Sequence, residues 1–184
     1  MITTFSHSHI LDDHIAGFEQ ARNPHHLSVL RRPVVFSVLA HVGHEDHVSG
    51  ALGDMEEVSV RRCGPGEWLV VSEAIAPDSL ARDLAALGAS RASFVDQGDG
   101  RVVLQLSGPK VRAILAKCTA IDLHPDVFAT GASANAQVCH VACNIARTGE
   151  DLFEIIVPRS YAGFVFDELL EMGREFAMTA GFSD

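Results

Sequence analysis

The most reactive side chains in this 184-residue chain are four cysteines and ten histidines. Cys139-His140-Val141-Ala142-Cys143 has the outline of a metal or redox motif. Read as a strand, however, it projects the two sulfurs from one face roughly 13 Å apart at about 3.3 Å rise per residue, with His140 on the other face. At that separation they neither bridge nor share a metal. His41, His44 and His47 recur at every third position, and His7 and His9 would add imidazoles for zinc if the N-terminal stretch folded back. No Cys, Asp or Glu stands at a matching spacing, so surface imidazoles are the preferred reading. Cys63, Cys118, Cys139 and Cys143 are too few and too irregular for a disulfide framework and read as reduced and mostly buried.

Other chemistries lack their signatures. Gly64-Pro65-Gly66 and Gly98-Asp99-Gly100 are the glycine-rich turns, and neither opens a helix as a phosphate-binding loop must. No Ser, Cys or His stands in a nucleophile context such as Gly-x-Ser-x-Gly, and the acids are dispersed over helices and turns where solvation explains them. The residues themselves therefore indicate no catalytic, cofactor-binding or metal-binding site.

The balance of 14 Lys+Arg against 24 Asp+Glu leaves a net charge of −10, which repels polyanions and argues against nucleic acid and anionic membrane as partners. No apolar run approaches the ~20 residues of a membrane span. The first residues lack the basic and apolar regions of a signal peptide, so a cytoplasmic location is expected. A hydrophobic content of 47% suits a globular chain of one domain or two small lobes.

Three stretches share one grammar of strand, turn, strand and helix. In the first, 58–62, the turn Gly64 to Glu67 and the strand Trp68 to Ser72 lead to a helix that Asp78 is placed to cap, striped by Leu80, Leu84 and Leu87 and stopped by Gly88. In the second, Phe94-Val95, the turn-rich 96–100 and Arg101 to Leu106 read as a hairpin. It runs across Ser107-Gly108 into a helix with Pro109 in its first turn and Val111, Ile114 and Leu115 on its buried side. In the third, 138–147, the turn 148–151 and Leu152 to Val157 precede a helix over 161–177 that Ser160 is placed to cap. A strand at Pro33 to Leu39 and a short helix around Val48 and Leu52 precede these units. Residues 119–137 lack periodicity and read as a long loop with one short turn at 126–128. A helix over 13–22, ended by Asn23-Pro24, falls in the His-rich start. The expected division is a His-rich segment 1–32, a first lobe 33–90 and a second lobe 91–184.

The last helix carries two apolar stripes. Tyr161, Val165, Leu169, Met172 and Phe176 supply a face for the chain's own core, and Ala162, Phe166, Leu170 and Gly173 stand on another side. One small domain seldom buries a helix all round, so the second stripe predicts an interface with a partner.

A set of segments in fixed order resembles the gamma subunit of heterotetrameric sarcosine oxidase. They are Gly64-Pro65-Gly66-Glu67-Trp68-Leu69-Val70, Asp96-Gln97-Gly98-Asp99-Gly100-Arg101-Val102-Val103-Leu104, Leu106-Ser107-Gly108-Pro109, Leu115-Ala116-Lys117, Ile121-Asp122-Leu123-His124-Pro125 and Val157-Pro158-Arg159-Ser160-Tyr161-Ala162. The resemblance implies an α+β fold of two ferredoxin-like lobes, similar to the folate-binding domain of the glycine-cleavage aminomethyltransferase. Trp68, Asp96, Asp122, His124, Arg159, Ser160 and Tyr161 are then structural, with the His124 ring tying down the long loop. It further implies alpha, beta and delta partner subunits that carry FAD, FMN, NAD, tetrahydrofolate and zinc, this chain carrying none. Cys118-Thr119-Ala120, Phe166 in place of a common Trp, and residues 1–32 depart from the family pattern.

Two functions follow as expectations. One is a non-catalytic structural subunit of a flavin-dependent amine oxidase resembling sarcosine oxidase, which demethylates sarcosine to glycine and formaldehyde or 5,10-methylenetetrahydrofolate. The alternative is a stand-alone folate-binding or aminomethyl-transfer protein. A folate protein requires a cleft with an acid free to pair the pterin ring.

Overall fold

A computed structural model describes residues 8–16 and 21–183. His7 and the middle of the helix expected over 13–22 lie outside the described residues. The elements run α1 (Asp12–Ile15), β1 (His26–Val29), β2 (Val34–Ala40), α2 (Glu45–Gly53), β3 (Ser59–Gly64), β4 (Glu67–Ser72), α3 (Pro77–Ala85), β5 (Ala92–Asp96), β6 (Arg101–Ser107), α4 (Val111–Leu115), β7 (Ser133–Val138), β8 (Val141–Gly149), β9 (Leu152–Pro158), α5 (Ala162–Gly173) and β10 (Thr179–Phe182). The strands form a four-stranded sheet in the order β3-β4-β2-β5 and a six-stranded sheet in the order β10-β1-β6-β9-β8-β7.

The fold is α+β with two ferredoxin-like lobes. β2-α2-β3-β4-α3-β5 makes the first, and β6-α4-β8-β9-α5-β10 makes the second, with β1 inserted between β10 and β6 and β7 added beyond β8. Strand periodicity sorts the side chains into three layers of core. Val34, Phe36 and Val38 of β2 meet Leu52 of α2 and Leu80 and Leu84 of α3. Leu104 and Leu106 of β6 and Phe153 and Ile155 of β9 meet Ile114 of α4 and Val165, Phe166 and Leu169 of α5. The intervening residues Val35, Leu69, Val71, Val103 and Ile156 point the other way and pack one sheet against the other, with Leu30.

Two turns and one strand depart from the sequence reading. β5 and β6 are not a hairpin: β5 pairs with β2 and β6 with β9 and β1, so 96–100 carries the chain from one sheet to the other. The crossing is held by Gln97 N–H to Val35 O at 2.7 Å and Arg159 N–H to Gly100 O at 2.9 Å. The first lobe therefore extends to Asp96 rather than ending at 90, and β1 of the N-terminal segment belongs to the second. Cys139 and His140 are not in a strand either, but form the two-residue turn between β7 and β8 with φ of 49° and 66°. That turn needs a strand before it, which is Ser133–Val138 inside the stretch expected to be loop.

The helix starts also move. Asp78 lies in the first turn of α3, behind Pro77 and an N-cap at Ala76 that makes no side-chain bond. Pro109 precedes α4, whose N-cap is Lys110. Ser160 is exposed within a single 3-10 turn, Arg159–Tyr161, and makes no capping bond to α5.

The largest correction concerns α5. Ala162 and Phe166 are fully buried and Gly173 is buried, whereas Leu170 is half-buried. Their cover is the chain's own. Leu11 and Ile15 of the N-terminal segment pack in this core, and the His14 ring stands edge-on to Phe166 at 6.1 Å while its Nδ1 lies 3.0 Å from Asp167 Oδ1. A Cβ at Gly163 would stand 2.6 Å from the His14 ring, and one at Gly173 would stand 2.5 Å from Met178. The surface expected to await a partner is thus closed from within. Tyr161, expected inside, is 53% exposed because the 3-10 turn holds it outside the helix.

Candidate functional site

The interior polar group of the molecule lies between the sheets. Residue 154 interrupts the apolar run of β9 on its inward face, residue 105 stands opposite it on β6, and residue 61 faces inward from β3 of the other sheet. Arg61 is 1% exposed and its Nη2 donates to Glu154 Oε2, with Gln105 Nε2 donating to Glu154 Oε1 at 3.1 Å and Arg61 Nε to Ser59 Oγ at 3.2 Å. A carboxylate in this layer is stable only with such partners. Glu73 at the rim has its carboxyl pushed above the usual range by burial and by Glu154.

Where the strand edges meet, Asn135 Nδ2 donates to Cys63 O at 2.8 Å, and Asn144 Nδ2 donates to Asn135 Oδ1 at 3.0 Å. These side chains join β3 to β7 and β8. Burial pushes the Cys63 thiol up.

A cleft of about 890 Å³ opens beside the crossing between the lobes, lined by Arg31, Arg32, Arg101, Arg159, Asp96 and Asp99, with His9 and Asp12 at one wall. None of the four arginines has a carboxylate partner among the described residues. Two of its acids serve the backbone: Asp12 accepts from His9 N–H at 2.7 Å and Ser8 Oγ at 2.8 Å, and Asp96 from Gly98 N–H at 2.8 Å. His9 titrates below its ordinary value, chiefly through burial and then through Arg159 and Arg31, against the pull of Asp12.

The remaining motif residues do local structural work. Trp68 is buried under α2 and α3. Asp122 Oδ1 accepts from His124 N–H at 2.9 Å, and His124 Nδ1 from Asp126 N–H at 3.3 Å, both contacts local to the loop. Arg147 ties it more firmly and was not foreseen: it donates to Phe128 O at 3.0 Å, Gly149 O at 3.1 Å and Glu150 O at 3.1 Å. A lone arginine at the end of a strand carries no sequence signal for this. His41 meets Ser93 Oγ at 2.9 Å and His47 meets Arg91 at 3.0 Å. Among the described residues no three His, Cys, Asp or Glu side chains group to hold a metal. Among the described residues no helix is long and apolar enough to cross a membrane.

The buried acid Glu154 is engaged by Arg61 and Gln105 in the layer of Val103, Ile156, Leu69 and Val71, so its carboxylate is not free to pair a pterin ring. The open cleft sets four guanidinium groups beside Asp12 and Asp96, which serve the backbone, and Asp99.

The model of the GCVT N-terminal domain matches residues 51–183. The chain belongs to the GCVT N-terminal domain family. Within it, the sarcosine oxidase subunit gamma of Corynebacterium sp. (strain P-1) is 33% identical over 138 residues, 73% of this chain and 66% of that protein. The match thus spans slightly less than two thirds of the curated relative. Among solved structures, a chain of the heterotetrameric sarcosine oxidase from Corynebacterium sp. U-96, in complex with pyrrole 2-carboxylate, superposes with a TM-score of 0.77 at 24% identity over 91% of this chain and 93% of that one. The glycine cleavage system aminomethyltransferase T from Bartonella henselae superposes with a TM-score of 0.63 at 19% identity over 94% of this chain but 50% of that one. The fold that the resemblance implies is the one these structures share.

Proposed function

We propose that the chain is a non-catalytic structural subunit of a flavin-dependent amine-oxidising complex of the sarcosine oxidase type, working in the cytoplasm. FAD, FMN, NAD, tetrahydrofolate and zinc then belong to alpha, beta and delta partners. The observation that carries this reading is the sealed interior: Glu154, the buried acid between the two apolar sheet faces, is held by Arg61 and Gln105. The likeness to a whole chain of a heterotetrameric enzyme, rather than to half of an aminomethyltransferase, supports it.

Co-expression with the alpha, beta and delta subunits of a sarcosine oxidase-type complex tests the proposal. The tagged chain should co-purify with larger flavin-bearing subunits, and sarcosine-dependent peroxide should form only in the assembly. Turnover by the isolated chain supplied with flavin or folate would overturn it, as would failure to assemble.

A further inference from the structure

We infer that Cys118 and Cys139 form a peroxide-responsive pair that closes to a disulfide. The turn that seats Cys139 brings it to the residue just after α4, and Cys139 N–H donates to Cys118 O at 2.8 Å. A backbone bond of this kind holds the two Cα atoms within the ~4.4–6.8 Å that a disulfide spans. The Cys118 thiol donates to Ile114 O at 3.4 Å. Both residues are nearly buried, at 9% and 7% exposure, which leaves access to a molecule as small as a hydroperoxide.

A second observation is independent of the contact. Two-residue turns with left-handed φ at both positions favour Asn-Gly, and a cysteine there adopts a conformation that non-glycine side chains seldom take. Cys139 occupies it with φ of 49°, followed by His140 at 66°. The turn thereby seats Cys139 beside Cys118.

A side-chain hydrogen bond between the two cysteines divides the roles. It holds the Cys118 thiol below its ordinary range, with neighbouring Lys117 adding to the effect, and keeps Cys139 protonated. The Cys118 thiolate attacks one oxygen of hydrogen peroxide, forming a sulfenic acid and releasing hydroxide. The Cys139 sulfur then attacks the Cys118 sulfur, and its proton leaves with the sulfenic oxygen as water, while the hydroxide released first takes up the proton given off by Cys118. Overall two thiols and one peroxide give one disulfide and two waters. The bond would staple the end of α4 to the β7–β8 turn across the long loop that separates them in sequence. Cys143, buried on β8 with its thiol pushed up to about 11 by burial, and Cys63 remain reduced.

Peptide mapping of the full chain after treatment with hydrogen peroxide, quenching and alkylation under denaturing conditions tests the inference. The expected result is loss of two of the four thiols, a cross-linked peptide pair containing Cys118 and Cys139 that is about 2 Da lighter than the sum of its reduced parts, reversal by dithiothreitol and a higher thermal midpoint. Cys118→Ser should leave Cys139 unlinked. Four surviving thiols, a linkage through Cys143 or Cys63, or oxygen adducts on Cys118 without a cross-link would each overturn the inference.

Discussion

The two lobes share one topology but reach a closed core by different routes. The first is complete in itself: α2 and α3 cover one face of a four-stranded sheet, and Leu52, Leu80, Leu84 and Trp68 fill the space between. The second needs help from far along the chain. β1 enters between β10 and β6, and Leu11 and Ile15 close the flank of α5. The flank of α5 that carries Ala162, Phe166 and Gly173 is therefore covered in the folded chain, with Leu170 half-buried. An apolar stripe by itself does not say whether a partner or a distant segment of the same chain will bury it.

The harshest challenge to that comparison is Phe166→Glu. An unpaired carboxylate at a fully buried site costs several kcal/mol, so the free chain should lose the second lobe, seen by far-UV circular dichroism. A folded variant that only fails to assemble would restore the partner-interface reading. Next is Arg61→Ala, which strands Glu154 between the sheets at a cost of about 3–5 kcal/mol. The single tryptophan, Trp68, reports the first lobe by fluorescence. In urea the variant should unfold with fluorescence and dichroism midpoints drawn apart, whereas coincident, unshifted transitions would show that the pair does not couple the lobes. Leu11→Ala should cost about 2–5 kcal/mol by cavity formation and act on the second lobe first, in contrast to Leu80→Ala in the other.

Two smaller effects sharpen the picture. His9 is lowered in the fold, and its Nδ1 accepts Leu11 N–H at 3.1 Å, which requires the neutral ring. The folded pKa lies below the unfolded 6.5, so the stability it contributes is present above that value and is lost as pH falls through the folded pKa. His9→Gln should flatten this acid-side loss in thermal melts between pH 7 and pH 5. Ser160→Ala should change stability by less than about 0.5 kcal/mol, because Ser160 is exposed and caps nothing. A larger loss would reinstate the cap.

What was legible follows from how local each signal is. Val34-Val35-Phe36-Ser37-Val38-Leu39 and Phe153-Glu154-Ile155-Ile156-Val157 declare strands, and Leu80 with Leu84 declares a helix, because periodicity is written within one element. Ser133-Ala134-Asn135-Ala136-Gln137-Val138 is an edge strand of small and polar residues whose pairing with β8 supplies what its composition does not. The turn residues of 96–100 suit a hairpin and a crossing between sheets equally, and local sequence cannot tell the two apart. Burial of Phe166 and the meeting of Cys118 with Cys139 depend on segments distant in the chain. The candidate interior site is not legible in the sequence, where solvation on helices and turns explains the acids; Glu154 stands on β9 and its partner Arg61 lies on the other sheet.

Calorimetric titration of the full chain with tetrahydrofolate tests most directly whether it is a subunit with no ligand site of its own. The account predicts no saturable heat, because Arg61 and Gln105 already occupy Glu154. Saturable binding that disappears in Glu154→Gln would contradict it.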